Sequence, residues 1–515
     1  MSYAHIFDRI AIRGLVLPNR IIMPAMGTLM ADEQSFVTPE LIDYHVARAA
    51  GGCGLNMLEC TAVNPQTVAK HFTAISDDKY CGQLRKLTKA VHDAGGRIGI
   101  QLWQDSLGVF RDQRVKKLAV SDITLPNGTF IPSITREEIE QVIQSFGLAA
   151  RRAVSAGFDC IEIHGGHNYL LHCFLSPAMN KRNDEYGGSF ENHMRLPLLL
   201  IEHVRKEMPS DMPLFYRVTS LDDHMENGLT RDHIVEFGNT IAARGVDVLD
   251  VTRGNKSFYY PKLMQEDSKG PKDNEVYTIP PIDIPQGFNV ENAAYIRKQT
   301  GMLVAVVGRI NNPDMAEDIL RNGSADLVNV GRGQIADPEF VNNPSIGNER
   351  RYALMKTDTP KRVLVIGGGV AGLEASLTLA KRGHIPMLYE SSPALGGQFL
   401  LAGCAPRKSE MKDAALQMAH MVKKMGIEVH LQTTVTPEMI AQFKPDAVIL
   451  AIGSEPIKLR IPNIDLPFVH NSHDVLGGKV KLTGETVVVG GGLVGLETAE
   501  FLAERGCPVT VLEMQ

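Results

Sequence analysis

The 515-residue chain is 44% hydrophobic and 22% charged, with a formal net charge of −6, which is ordinary globular composition at a length that suits two or three domains. It has no Lys/Arg block to serve as a footprint for nucleic acid and no apolar run near the eighteen or so residues of a membrane helix. Its start, Met1 to Arg9, is not a signal peptide, and its seven cysteines (Cys53, Cys60, Cys81, Cys160, Cys173, Cys404, Cys507) include no Cys-x-x-Cys pair, so reduced thiols in a cytoplasmic protein are expected and not a disulfide frame.

From the N-terminus, β-like runs alternate with amphipathic helical stretches. The runs cover 20–26, 55–62, 97–102, 160–164, 214–219, 248–252, 303–308 and 326–331. Helix starts between them are recognisable, with Thr135 and Glu138 spaced as a capping box and Asn312-Pro313 as a cap followed by proline. Eight β/α units over residues 1–340 predict an α/β fold, a TIM (β/α)8 barrel with enlarged rim loops.

In such a barrel the strand ends carry the chemistry. The run 160–164 ends in His164-Gly-Gly-His167-Asn168-Tyr169, which brings two imidazoles and a phenol to one rim loop. Three-residue spacing puts two histidines on one face only in a helix, and the glycines and preceding β run argue against a helix; no metal is expected, and satisfied core histidines are the alternative reading. Gln101 ends the third run, and Arg217 lies late in the fifth, inside an apolar run where a buried arginine must be paired. Runs seven and eight end in Gly308-Arg309 and Gly331-Arg332, the place where barrels commonly bind phosphate. Pro24-Ala25-Met26 and Cys60 stand at the first two rims.

Residues 341–360 read as a polar linker. An apolar strand, Gly367-x-Gly369-x-x-Gly372 and then Glu390 follow, a full dinucleotide fingerprint in which glycines bring backbone to a pyrophosphate and the acid suits ribose hydroxyls. The pattern repeats at a constant offset as Gly490-x-Gly492-x-x-Gly495 with Glu513. Residues 361–482 are thus expected to form a Rossmann-like domain and 483–515 the start of a second.

The string from His164 to Tyr169, continued by Asn180-Lys-Arg182-Asn-Asp184-Glu-Tyr186-Gly187-Gly188, resembles the flavin-binding signature of the Old Yellow Enzyme family. The resemblance implies FMN in the barrel, with Gln101 and Arg217 on the flavin pyrimidine and the Gly308-Arg309 and Gly331-Arg332 pairs on its phosphate. It also implies His164 and His167 on a ligand carbonyl oxygen and Tyr169 as proton donor. Pro24, Ala25 and Met26 lie where relatives keep a Thr or Cys near the flavin carbonyl; Met26 departs from that pattern because it donates no strong hydrogen bond. Cys60 lies in the matching rim loop of the second strand.

Barrel plus duplicated fingerprint resembles the branch holding 2,4-dienoyl-CoA reductases, 2-enoate reductases and bile-acid-inducible NADH-dependent flavin oxidoreductases of anaerobic bacteria. The implied cofactors are FMN, FAD at the first fingerprint and NADH or NADPH at the second, with Glu513 favouring NADH by repelling a 2′-phosphate. The branch also carries a 4Fe-4S cluster just after the barrel, but no cysteine lies between Cys173 and Cys404, so its ligands are absent from this chain. The chain also stops one strand into the second nucleotide unit; either the enzyme is shortened or segments are missing from the chain, and the second is the expectation.

The implied activity is NAD(P)H-dependent reduction, or reversible formation, of a C=C bond conjugated to a carbonyl in a steroid 3-oxo-4-ene, an enoate or an enoyl-CoA. Two alternatives stand: an amine dehydrogenase, whose relatives place a tyrosine at the position of His164, and a non-catalytic flavin electron-transfer subunit. The expected partner is a small molecule, with neither nucleic acid nor membrane; a homo-oligomer is possible. The segment 252–286, with Phe258, Tyr259, Tyr260, Lys262, Lys269 and Lys272, is read either as a cover over the pocket or as a solvated loop.

Overall fold

The computed structural model describes residues 4–107, 115–125, 128–223, 225–255, 278–281, 284–311, 313–336, 356–456 and 462–513. The aromatic and basic residues of the 256–277 segment, Asn312 and most of the 341–360 linker lie outside them.

The chain divides into two compact units, Met1–Tyr352 and Ala353–Gln515. In the first, eight parallel strands close into a barrel. They are β1 (Ile21–Met23), β2 (Leu55–Ala62), β3 (Ile98–Trp103), β4 (Cys160–Gly165), β5 (Leu214–Thr219), β6 (Val248–Thr252), β7 (Leu303–Val306) and β8 (Leu327–Asn329). Strands adjacent in sequence are adjacent in space, and β8 closes on β1 through Val328 and Ile21. β1, β7 and β8 are shorter than their β-like runs because Pro24, Gly308 and Gly331 take the chain out of the ladder just beyond them.

Strand periodicity then sorts the side chains. Alternate residues of each strand face outward, where Ile100, Leu102, Ile161, Ile163, Tyr216, Val218, Leu249 and Val251 join one core with the surrounding helices. That core includes Leu41 and Tyr44 from α1 (Pro39–Ala50), Leu84 and Leu87 from α2 (Cys81–Asp93), and Ile139, Val142 and Phe146 from α3 (Arg136–Ser155). Helix α3 starts at the Thr135/Glu138 capping box, with both reciprocal hydrogen bonds formed.

The inward residues form tiers. At the amino-terminal end Leu55, Met57, Cys160, Phe215, Val248 and Leu327 form a second apolar cluster, which Ile10, Ile12, Leu15 and Leu17 of a short antiparallel ribbon complete. Two residues further along the same strands stand Gln101, Glu162, Arg217, Asp250 and Asn329, each at most 6% exposed. Two further on come His164, Thr219 and Thr252. The barrel is thus oily at its base and polar in its middle, and it offers imidazole and hydroxyl groups at its carboxyl end.

In the second unit four parallel strands, β9 (Arg362–Ile366), β10 (Ile385–Tyr389), β11 (Glu428–His430) and β12 (Ala447–Leu450), are ordered β11-β10-β9-β12. A separate parallel pair follows, β13 (Thr486–Val489) with β14 (Val509–Leu512). Among the described residues no helix is long and apolar enough to cross a membrane.

Gly165, at the end of β4, faces outward against the buried Tyr216 ring, and a Cβ there would fall well inside contact distance of that ring. Tyr216 is fully buried and has no room to withdraw. Gly165→Ala should therefore cost about 1–3 kcal/mol as an overpacking change. Thermal unfolding checks this, and an unchanged melting temperature would contradict it.

Candidate active site

Beyond Gly165 the chain makes a tight turn. His167 and Asn168 both take left-handed backbone angles, φ 58° each, a conformation that non-glycine residues seldom hold without fixing contacts. One fixing bond comes from the neighbouring strand β5, the His167 N–H donating to Thr219 Oγ1 at 2.9 Å, and one from within the turn, the Tyr169 N–H donating to Gly166 O at 3.2 Å. The turn folds three rings together. His164 meets His167 edge-on at 5.1 Å between centroids and Tyr169 at 4.8 Å, while Trp103 packs edge-on against Tyr169 at 5.2 Å. His164, His167 and Tyr169 are only 3%, 9% and 7% exposed.

The Gly166 N–H donates to His164 Nδ1 at 3.3 Å. That contact assigns the imidazole proton to Nε2, which makes His164 a donor there. His167 Nε2 lies 3.0 Å from Thr252 Oγ1. Burial, together with the nearby Cys60 and Asp105, raises the Tyr169 hydroxyl well above the ordinary phenol range, so Tyr169 holds its proton at neutral pH.

The middle tier is joined by hydrogen bonds. Asp250 accepts from Arg217 Nη1 at 2.8 Å and from Asn329 Nδ2 at 2.7 Å, and Glu162 Oε1 accepts from Gln101 Nε2 at 2.7 Å. Arg217 and Asp250 are register partners on β5 and β6, as are Gln101 and Glu162 on β3 and β4. The Arg217 partner within the protein is therefore Asp250, a residue that the sequence reading passed over while assigning Arg217 to the flavin.

Cys60 reaches this tier through a register shift between Leu58 and Cys60 in the β2–β3 pairing, which re-aims the side chains that follow it. Its thiol donates to Gln101 Oε1 at 3.1 Å and meets the Tyr169 hydroxyl. Glu59, at the same irregularity, is buried and accepts from the Thr28 amide, the Thr28 hydroxyl and the Thr73 amide at 2.6, 2.8 and 3.1 Å. It ties the segment after Pro24, Ala25 and Met26 to the β2 rim.

At the phosphate-type rims the structure is less uniform. Arg309 takes a left-handed φ of 52° and donates to the Ile284 carbonyl. Arg332 is exposed and begins a five-residue helix, Arg332–Ala336, just after Gly331. Gly331 packs beside Met26, whose Sδ would lie 2.9 Å from an added Cβ, and Gly308 lies against Asn289.

The pocket's donor set fits a flavin: a primary amide and a guanidinium in the buried tier match the alternating donors and acceptors of a pyrimidine ring. In addition Gln104 Oε1, on a side chain 1% exposed, has no hydrogen-bond partner among the described residues.

In the second unit Gly369 begins the helix Val370–Lys381 and Gly492 the helix Leu493–Ala503. A Cβ on Gly372 would collide with Gly367 O, and one on Gly495 with Gly490 O, so both fingerprints need glycine for the helix to sit against its loop. Gly367 and Gly490 take φ values of 108° and 111°. Glu390 Oε2 accepts from the Gly368 amide at 2.5 Å and Glu390 Oε1 from the Ser392 amide at 2.7 Å, and Glu513 accepts likewise from the Gly491 amide. Partial burial pushes the Glu390 carboxyl up, but the Ser392 and Gly368 amides outweigh it and hold the group below its ordinary value.

One fully buried support was not foreseen. Asp222 accepts from His172 Nε2 at 2.8 Å, Ser176 Oγ at 2.6 Å, the Leu229 amide at 2.9 Å and Asn255 Nδ2 at 2.9 Å. It thereby fastens the short helix Leu170–Leu175, which follows Tyr169, to the segment leaving β6. Burial pushes the Asp222 carboxyl up, while His172, the Leu229 amide and Ser176 pull it down further, to about 2. A depressed carboxylate stabilises the fold above its unfolded pKa near 3.9 and loses that contribution as pH falls through about 2. Acid unfolding should therefore show a component between about pH 4 and 2, and Asp222→Asn should remove it while costing roughly 3–5 kcal/mol at pH 7. An Asp222→Asn protein with the stability and acid profile of the parent would contradict this.

Residues 5–349 match the NADH:flavin oxidoreductase / NADH oxidase family and residues 361–515 the pyridine nucleotide-disulphide oxidoreductase family. The chain is 38% identical to an NADH oxidase of Thermoanaerobacter brockii, with 99% of this chain and 83% of that protein covered. It is 30% identical to a cinnamate reductase of Clostridium sporogenes, over 100% of this chain and 83% of that protein. Among solved structures, 2-naphthoyl-CoA reductase in complex with 2-naphthoyl-CoA superposes with a TM-score of 0.89 at 25% identity, covering 99% of this chain and 83% of that one. These memberships imply flavin and NAD(P)H binding, and the chain belongs to the NADH:flavin oxidoreductase / NADH oxidase family, with a pyridine nucleotide-disulphide oxidoreductase domain following the barrel.

Proposed function

We propose that the protein is an NADH-dependent reductase of C=C bonds conjugated to a carbonyl, acting on an enoate or enoyl thioester. The observation that carries this reading is the packed cluster of His164, His167 and Tyr169 at the carboxyl end of β4, directly above the buried polar tier. Two relatives support it, one named a cinnamate reductase and the other a 2-naphthoyl-CoA reductase. A steroid 3-oxo-4-ene is the competing substrate class.

In this reading Gln101, Arg217 and the β7 and β8 rims would hold FMN, which when bound would supply hydride chemistry, and the two fingerprints of the second unit would hold FAD and the nicotinamide. The Nε2–H of His164 donates to the carbonyl oxygen, with His167 beside it, and the pair stabilises the negative charge that develops there. Tyr169 delivers its proton to the α-carbon. The phenol's raised affinity for its proton is no obstacle, because an α-carbanion is a far stronger base. Trp103 and the walls of the turn limit water around the Tyr169 hydroxyl, which keeps that proton for the substrate.

The amine-dehydrogenase reading would place a tyrosine at position 164, where this chain has the donor His164. A pure electron carrier would have no use for a buried phenol against the site. Glu513, which bonds to its own glycine loop, would repel a 2′-phosphate and favours NADH.

Two outcomes test the proposal. Tyr169→Phe should slow oxidation of the reduced protein by cinnamate about 10²–10⁴-fold, the usual contribution of a general acid, while its reduction by NADH proceeds at the parent rate; stopped-flow absorbance separates the two half-reactions, and equal loss in both would contradict the role. Steady-state kinetics should give a higher kcat/KM for NADH than for NADPH, and Glu513→Ser should narrow that ratio. An unchanged ratio would remove Glu513 from nucleotide recognition.

A further inference from the structure

Among the described residues, the middle tier of the barrel brings together two carboxyl groups and one positive charge. Glu162 is 1% exposed, Asp250 3% and Arg217 6%. If both carboxyls were ionised, a net negative charge would stand inside a barrel whose base is apolar, which burial penalises strongly when the charge has no partner. The hydrogen bonds resolve the imbalance. Asp250 receives Arg217 Nη1 on one oxygen and Asn329 Nδ2 on the other, two donors that suit a carboxylate. Glu162 receives Gln101 Nε2 on Oε1 and is itself hydrogen-bonded to Asp250. Two carboxyl groups can bond to each other only through a proton, and Asp250 already has its charged partner.

We propose that Glu162 and Asp250 share a single proton, carried by Glu162, and that Glu162 acts as a neutral positioning residue beneath the flavin. The flavin part rests on the reading of this tier as the flavin's seat; the shared proton does not. The groups facing Glu162 are Gln101 from β3, Arg217 from β5 and Asp250 from β6, with Cys160 below it and His164 above it on its own strand. Because Oε1 of Glu162 takes Gln101 Nε2, the Gln101 carbonyl must turn the other way, and it accepts the Cys60 thiol that meets Tyr169. Glu162 therefore sets which end of the Gln101 amide faces Tyr169, and its neutrality leaves Arg217 balanced by Asp250 alone. A neutral tier does not oppose electrons arriving above it; an ionised Glu162 would.

Infrared difference spectroscopy of the purified protein in H2O and D2O tests the proton directly. The parent at pH 7 should show the carbonyl band of a protonated carboxylic acid that shifts on deuteration. Glu162→Gln should abolish the band, and Asp250→Asn, which removes its acceptor, should move it. Gln is the isosteric mimic of a protonated Glu, donating to Asp250 and accepting from Gln101, so Glu162→Gln should hold FMN within about threefold of the parent, whereas Glu162→Leu should weaken it tenfold or more, about 1.4 kcal/mol. Absence of the acid band in the parent, or a band that survives Glu162→Gln, would overturn the proposal. A band assigned to Glu162 in a protein that takes up no FMN would uphold the shared proton and overturn the flavin reading instead.

Discussion

The site depends on one buried ion pair. Arg217 on β5 and Asp250 on β6 face each other in register inside the barrel, where neither would be tolerated alone: a guanidinium without its carboxylate would be an uncompensated buried charge. Their pairing lets a closed β-barrel carry a polar tier at all. Asn329 completes Asp250, Gln101 and Glu162 extend the network across β3 and β4, and Cys60 carries it to the Tyr169 hydroxyl. Groups from six strands are thereby held in one connected arrangement, which is the kind of fixed polar surround that acid chemistry and charge stabilisation need.

The same strands divide stability from chemistry by position along their length. Phe215, Arg217 and Thr219 succeed one another up β5; Cys160, Glu162 and His164 do so up β4; Val248, Asp250 and Thr252 up β6. Each triplet runs from apolar base through buried polar middle to the rim of the candidate site. The outward residues between them belong to the helical core and carry none of the chemistry. Supports such as Asp222 and Glu59 then fix the rim segments, the first through His172 of the helix after Tyr169 and the second through Thr28. In the second unit the duplicated glycine fingerprints obey one local rule twice: Gly372 and Gly495 permit a helix to rest on the loop that starts it.

Much of this was legible in the residues. All eight barrel strands overlap β-like runs, because a parallel barrel buries both strand faces and leaves near-continuous apolar stretches. The capping box at Thr135 and the turn chemistry around His164 and Tyr169 are local and were readable for that reason. Glu162, Asp250 and Asn329 were passed over, although each interrupts an apolar run and Glu162 does so two residues before His164. A lone acidic residue in a strand looks like a solvent-facing position until closure of the barrel shows which phase points inward. Asp222 left no comparable trace: its partners His172, Leu229 and Asn255 are scattered along the chain and meet only through the fold. Cys60 depended on a register irregularity, and nothing in the residue order announces one.

The proposed role of the site is to polarise a carbonyl so that the double bond conjugated to it can be reduced. The most direct measurement is the anaerobic reoxidation of the reduced, flavin-loaded protein, followed in the visible spectrum after adding cinnamate or, in parallel, styrene, which keeps the ring and the double bond but lacks the carbonyl. Return of the oxidised spectrum with cinnamate and none with styrene is the predicted result. Reoxidation by neither, or by both at similar rates, would contradict the assignment of His164, His167 and Tyr169.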